Sequence, residues 1–130
     1  MIVSVQVIDA AFGMPAADVE VRFRQGESAE WRELALVRTG ADGRVELWRG
    51  HTLRPGRYQL ECDLDGFYAA TGSVAFYPRA IFELRLSGGA EDLHLPLVIS
   101  PNSVLAYRGW APPLLRIPLA ADGVAASGVL

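Results

Sequence analysis

Apolar and charged positions alternate with period two in three stretches: Val19 to Arg24, Tyr58 to Leu64, and Phe82 to Leu86. Such alternation predicts strands with one buried and one wet face. Turn signals punctuate them at Gly13-Met14-Pro15, Gln25-Gly26-Glu27, Ala41-Asp42-Gly43, Arg54-Pro55-Gly56 and Ser87-Gly88-Gly89. Many short strands at this spacing point to an all-β sandwich or barrel. One segment departs from the rhythm. Asp65 to Gly72 has an Asp near its start, two alanines and a closing glycine, and it reads as a short helix.

Two further strands, Ile2 to Ile8 and Leu93 to Ile99, are apolar on both faces. Val3, Val5 and Val7, with Leu93, Leu95, Leu97 and Ile99, suit the core. The opposite faces still carry Ile2, Ile8, Pro96 and Val98. An outer sheet face is polar unless something covers it, so a face this apolar marks an interface or ligand groove. Patterning alone therefore predicts a homo-oligomer. Pro96 has no N–H for a ladder, which predicts a bulge or a missing pair there.

The 130-residue length suits a single domain with its own core. Apolar residues at 51% and charged residues at 21% fit a folded globular chain, and no apolar run approaches a membrane span. The net charge of −3 disfavours a nucleic-acid partner. The single cysteine, Cys62, excludes an internal disulfide, and its apolar strand setting predicts a packed thiol. No charged leader precedes the first strand, so a cytoplasmic location is expected. The two histidines, His51 and His94, lack ligand spacing, so neither a metal nor another cofactor is expected. From Ala111 onward the chain turns rich in proline and small residues. We read 1–110 as one domain and 111–130 as a C-terminal extension, either flexible or docked through Leu114-Leu115-Arg116-Ile117.

Several fixed spacings agree with one family. Asp9-Ala10-Ala11-Phe12-Gly13-Met14-Pro15-Ala16, Trp31, Asp42-Gly43-Arg44, Gly56-Arg57-Tyr58, Phe67-Tyr68, Phe76-Tyr77-Pro78 and Pro96-Leu97-Val98-Ile99-Ser100-Pro101 resemble the transthyretin family. Within it they look like the branch of the 5-hydroxyisourate hydrolases. The resemblance runs from about Val3 to Trp110. It implies a transthyretin-like antiparallel sandwich of two four-stranded sheets with one short helix. It also implies a tetramer, in which the sheet holding the first and last strands faces a sister copy across a channel. In the hydrolases the active sites lie in that channel.

The hydrolase site is matched in part. Arg44 and His94 stand at the family's Arg and second His, whereas Gln6 replaces its first His and Trp110 its terminal Ser. Hydrolysis of a cyclic ureide needs a base for water and a donor for the oxyanion. His94 suits the first role, with an ordinary pKa near 6.5, and Arg44 the second. Gln6 can orient a substrate but carries no proton at neutral pH. Ile8, Leu105, Tyr107 and Trp110 are the expected substrate-binding walls, and Leu105, Ala106 and Trp110 suggest a more apolar molecule than hydroxyisourate, such as an N-methylated one or one from secondary metabolism. Two other readings stay open: isomerisation or cyclisation of a small heterocycle on the same scaffold, and a carrier that binds a small ligand without catalysis. His51 and Asp9 are expected to be exposed and structural respectively.

Overall fold

The computed structural model describes residues 1–109. Nine strands and one helix follow in order: β1 (Ile2–Asp9), β2 (Met14–Pro15), β3 (Glu20–Glu27), β4 (Glu30–Arg38), β5 (Arg44–Arg49), β6 (Gly56–Asp63), α1 (Leu64–Ala70), β7 (Arg79–Leu86), β8 (Leu93–Ser100) and β9 (Ser103–Ala106). They form two sheets. One runs β4-β3-β6-β7; the other runs β2-β1-β8-β9, with β5 also paired to β1.

Between the sheets the alternation expected from sequence is met residue by residue. Val3, Val5, Val7, Leu93, Leu95, Leu97 and Ile99 from one sheet meet Val21, Phe23, Tyr58, Leu60 and Cys62 from the other, all buried. Phe23 stacks on Tyr58 with ring centroids 5.6 Å apart. Burying a side chain of this size contributes about 1.5–3 kcal/mol, so the interlayer core holds the sandwich together. The Cys62 thiol lies inside it, and burial followed by the Asp63 charge pushes its pKa up to about 12. A thiol with that pKa is packing, not a nucleophile.

The structure corrects the expected outline in four places. The first sheet has five strands, because the two-residue β2 continues the edge that β5 begins along β1. Its central pair, β1 and β8, is parallel, so the sandwich is antiparallel everywhere else but not there. The turn expected at Gln25-Gly26-Glu27 falls instead at Ser28-Ala29, where Ser28 takes φ 54°. The helix begins earlier than Asp65: Asp63 is its cap, its carboxylate accepting from the Gly66 amide at 3.1 Å.

Pro96 needs no bulge. Along β8, the His94 and Pro96 carbonyls accept from Gly109 at 2.8 Å and Tyr107 at 3.3 Å, so these residues turn their main chain away from β1. The missing N–H therefore falls on the sparsely paired outer side, and the parallel ladder with β1 is intact through Gln6 and Pro96. Gly109 lets the chain pass the proline ring, since a Cβ there would lie 2.6 Å from Pro96 Cδ.

Candidate active site on the outer face of the first sheet

With Val3, Val5 and Val7 turned inward, Ile2, Ser4, Gln6 and Ile8 point to the opposite face of β1. Register then fixes their neighbours. Ser4 is flanked by Glu46 on β5 and His94 on β8. Gln6 is flanked by Arg44 and Pro96. Ile8 lies beside Val98, which pairs in turn with Leu105 on β9. Three rows result, polar at one end of the face and apolar at the other.

His94 belongs to the polar end. It is 9% exposed, although it sits on the outer face, with β1 on one side of it and the segment that follows β9, bonded through the Gly109 amide, on the other. Its Nδ1 is 2.9 Å from Ser4 Oγ. Burial first, and then the Arg44 cation, hold the imidazole below its ordinary pKa of 6.5. Arg44 is thus close enough to act on His94 electrostatically, across the intervening β1.

A tight turn aims Arg44. The Gly43 amide donates to Gly40 O, the Gly40 amide to Arg44 O, and the Arg44 amide to Asp42 Oδ1 at 3.0 Å. Gly43 adopts φ 79°, and a side chain there would collide with the Val7 carbonyl, which leaves glycine as the fit. The Arg44 side chain is exposed and forms no ion pair among the described residues. An uncompensated guanidinium beside a neutral imidazole is a ready receptor for an anionic or enolic oxygen.

The apolar end is open. Leu105 is 57% and Tyr107 55% exposed, while Ile8 and Val98 are half-buried. The structure therefore brings together six of the residues singled out from sequence: Gln6, Ile8, Arg44, His94, Leu105 and Tyr107. Trp110 and the extension 111–130 lie outside the described residues. His51 is exposed, and its carbonyl accepts from Trp48 Nε1 at 3.0 Å. Asp9 is a structural group: 2% exposed, it accepts from the Ala11 amide and from the Tyr68 hydroxyl. Burial and that bond push the Tyr68 pKa up. Sequence reading passed over Ser4, although period two from Gln6 places it on the same face.

A two-sheet sandwich with a polar cluster on the outer side of its β1–β8 sheet is the architecture that the transthyretin resemblance implied. Comparison with known proteins agrees. Residues 3–109 match the model of the HIUase/Transthyretin family, and the chain belongs to that family. It is 37% identical over 109 residues to a 5-hydroxyisourate hydrolase of Caulobacter vibrioides, covering 79% of this chain and 93% of that one. Among solved structures it is similar to 5-hydroxyisourate hydrolase of Klebsiella pneumoniae, with TM-score 0.74 and 27% identity over 85% of this chain and 100% of that one. It is also similar to sea bream transthyretin in complex with thyroxine, with TM-score 0.79 and 25% identity over 85% of this chain and 96% of that one.

Proposed function

We propose that this protein is a divergent hydrolase of the 5-hydroxyisourate hydrolase type, opening a cyclic ureide or related small heterocycle by adding water. One observation carries the reading: a buried imidazole, with its pKa held down, shares a sheet face with a guanidinium that forms no ion pair among the described residues. His94 takes a proton from water at Nε2 as the water oxygen bonds to the ring carbonyl carbon. The carbonyl electron pair moves to oxygen, and Arg44 holds that oxyanion. When the intermediate collapses, the ring C–N bond breaks and the nitrogen leaves with the proton from Nε2. Gln6, beside Arg44 on the same face, orients the substrate by hydrogen bonds. Ile8, Leu105 and Tyr107 form the walls, with Trp110 assigned there from sequence, and their apolar character favours a substituted ring over plain hydroxyisourate.

The exposed apolar end of the face supports assembly, since copies placed face to face would cover Leu105 and Tyr107 and enclose the polar cluster. A homotetramer and a cytoplasmic location complete the proposal, the latter in keeping with one buried free thiol. Among the described residues no helix is long and apolar enough to cross a membrane.

The test is turnover of freshly generated 5-hydroxyisourate and its methylated analogues by the wild type, His94→Asn and Arg44→Ala. Loss of the base should lower kcat by roughly 10²–10⁴-fold. Failure of the wild type on every ureide would overturn the reading. A second reading, a carrier without chemistry, is favoured by the same exposed apolar walls, and in it His94→Asn would keep ligand affinity.

A further inference from the structure

Ser4 stands out on its own strand. On the outer face of β1 it lies between Ile2 and Gln6, and its half-buried hydroxyl has one side-chain partner among the described residues, His94. The parallel register sets Ser4 directly beside His94, and the 2.9 Å separation from Oγ to Nδ1 is a full hydrogen bond. On the other side of His94 runs Gly109, which carries no side chain and donates its amide to the His94 carbonyl. No described residue hydrogen-bonds Nε2.

We propose that Ser4 is a positioning residue: its Oγ accepts the Nδ1–H of His94, which fixes the ring and leaves the Nε2 lone pair toward the open side of the sheet.

The chemistry demands such a partner. A histidine that gains a proton at Nε2 must carry one at Nδ1 too, and that N–H then needs an acceptor. A serine oxygen can accept in both the neutral and the charged state, so no rearrangement accompanies proton transfer. The charged groups facing His94 do not supply an alternative acceptor. Arg44 and Arg49 on β5 are cations, Glu46 is engaged by Arg49, and Asp92 accepts from the Ile2 amide at 2.9 Å. The neighbours on β1, Ser4 and Gln6, are uncharged, and Tyr107 follows β9.

The kinetic part of the test rests on the hydrolase reading; the spectroscopic part does not. Long-range ¹H–¹⁵N spectra of the wild type should show neutral His94 as the Nδ1–H tautomer. Ser4→Ala should lose that preference and lower the His94 pKa further, because the charged form loses its acceptor. On a turned-over ureide, Ser4→Ala should lower kcat about tenfold with KM nearly unchanged, and Ser4→Thr should restore both tautomer and rate. A wild-type Nε2–H tautomer would overturn the proposal, whether or not Ser4→Ala folds. So would Ser4→Ala spectra and kcat equal to wild type. If the wild type turns over no ureide, the function falls and the tautomer still decides the role of Ser4.

Discussion

Glu46 and Arg49 are three residues apart on β5 yet meet on one face, with Arg49 Nε and Nη2 donating to Glu46 Oε1 and Oε2 at 2.9 and 2.5 Å. Odd spacing in a regular strand puts side chains on opposite faces. The β1–β5 register shifts between Val3 and Ser4, with Leu47 as the extra residue, and that bulge brings the pair together. The consequence reaches Arg44. Glu46 stands two residues from it on the same face and is its natural counter-ion, but the hydrogen bond to Arg49 engages the carboxylate and lowers its pKa. Arg49→Gln should free Glu46 to pair with Arg44 and raise KM for an anionic substrate. The increase should shrink as salt is added, because these groups are exposed. Equal KM values for both proteins at low salt would show that the pair is only a surface feature.

Gln6 sits between Arg44 and Pro96, where a second proton-carrying group would face the same substrate as His94. Gln6→His should therefore raise turnover of 5-hydroxyisourate, by as much as roughly 10²-fold if the new ring shares acid–base work. Steady-state kinetics on plain and methylated substrates measure this. A gain confined to plain hydroxyisourate fits a native enzyme specialised for another ring.

The fold was legible where one physical pattern dominated. Val3, Val5, Val7 and the odd residues of β8 announced a core, and all are buried. Strand β4 was not legible by period: it is an edge strand with a register shift opposite Phe23 and Arg24, so its burial loses clean alternation. Pro96 misled because proline removes a donor on one side of a strand only, and sequence does not say which side. The same holds for the site. Gln6, Arg44 and His94 could be named from the family resemblance, but the Ser4 contact needed the parallel β1–β8 register, which alternation cannot encode. Neither could the Glu46–Arg49 bulge be foreseen, since it depends on one unpaired residue in β5.

His94 should impose the acidic limb of the rate profile. Burial and Arg44 lower its pKa below 6.5, so the neutral base persists through the neutral range and is lost only at lower pH. In Arg44→Ala the cation is gone, and the limb should move upward in pH. Stability follows the same sign. Between the folded pKa and 6.5 the unfolded chain binds more protons at this residue, so its contribution to stability is full above 6.5 and declines as pH falls. The pH dependence of kcat/KM and of unfolding in urea measures the two effects. A limb at or above 6.5 in the wild type would contradict the site geometry.

Gly43→Ala should uncouple the turn from the sheet. The φ of 79° disfavours any side chain, and the Val7 carbonyl occupies the space a Cβ would need. Strain of this kind costs about 1–3 kcal/mol, so the urea midpoint should fall. Arg44 lies next in sequence, and its displacement should raise KM even where the variant is fully folded. Full stability with unchanged KM would mean that the turn relaxes freely and does not aim the guanidinium.

Leu105 offers a direct test of what covers the face. It is exposed on the short edge strand β9 and pairs with Val98, so Leu105→Glu should leave the monomer core untouched. If sister copies pack on this face, a carboxylate there must be buried against apolar partners, which costs several kcal/mol unless it is paired. Sedimentation should then show wild type as a tetramer and Leu105→Glu as a smaller species with unchanged far-ultraviolet circular dichroism. Activity should fall with the tetramer population, since the substrate walls would lose their opposing half. A wild type that sediments as a monomer at micromolar concentration would remove the enclosure on which the proposed catalysis depends, and His94 would then work in an open groove.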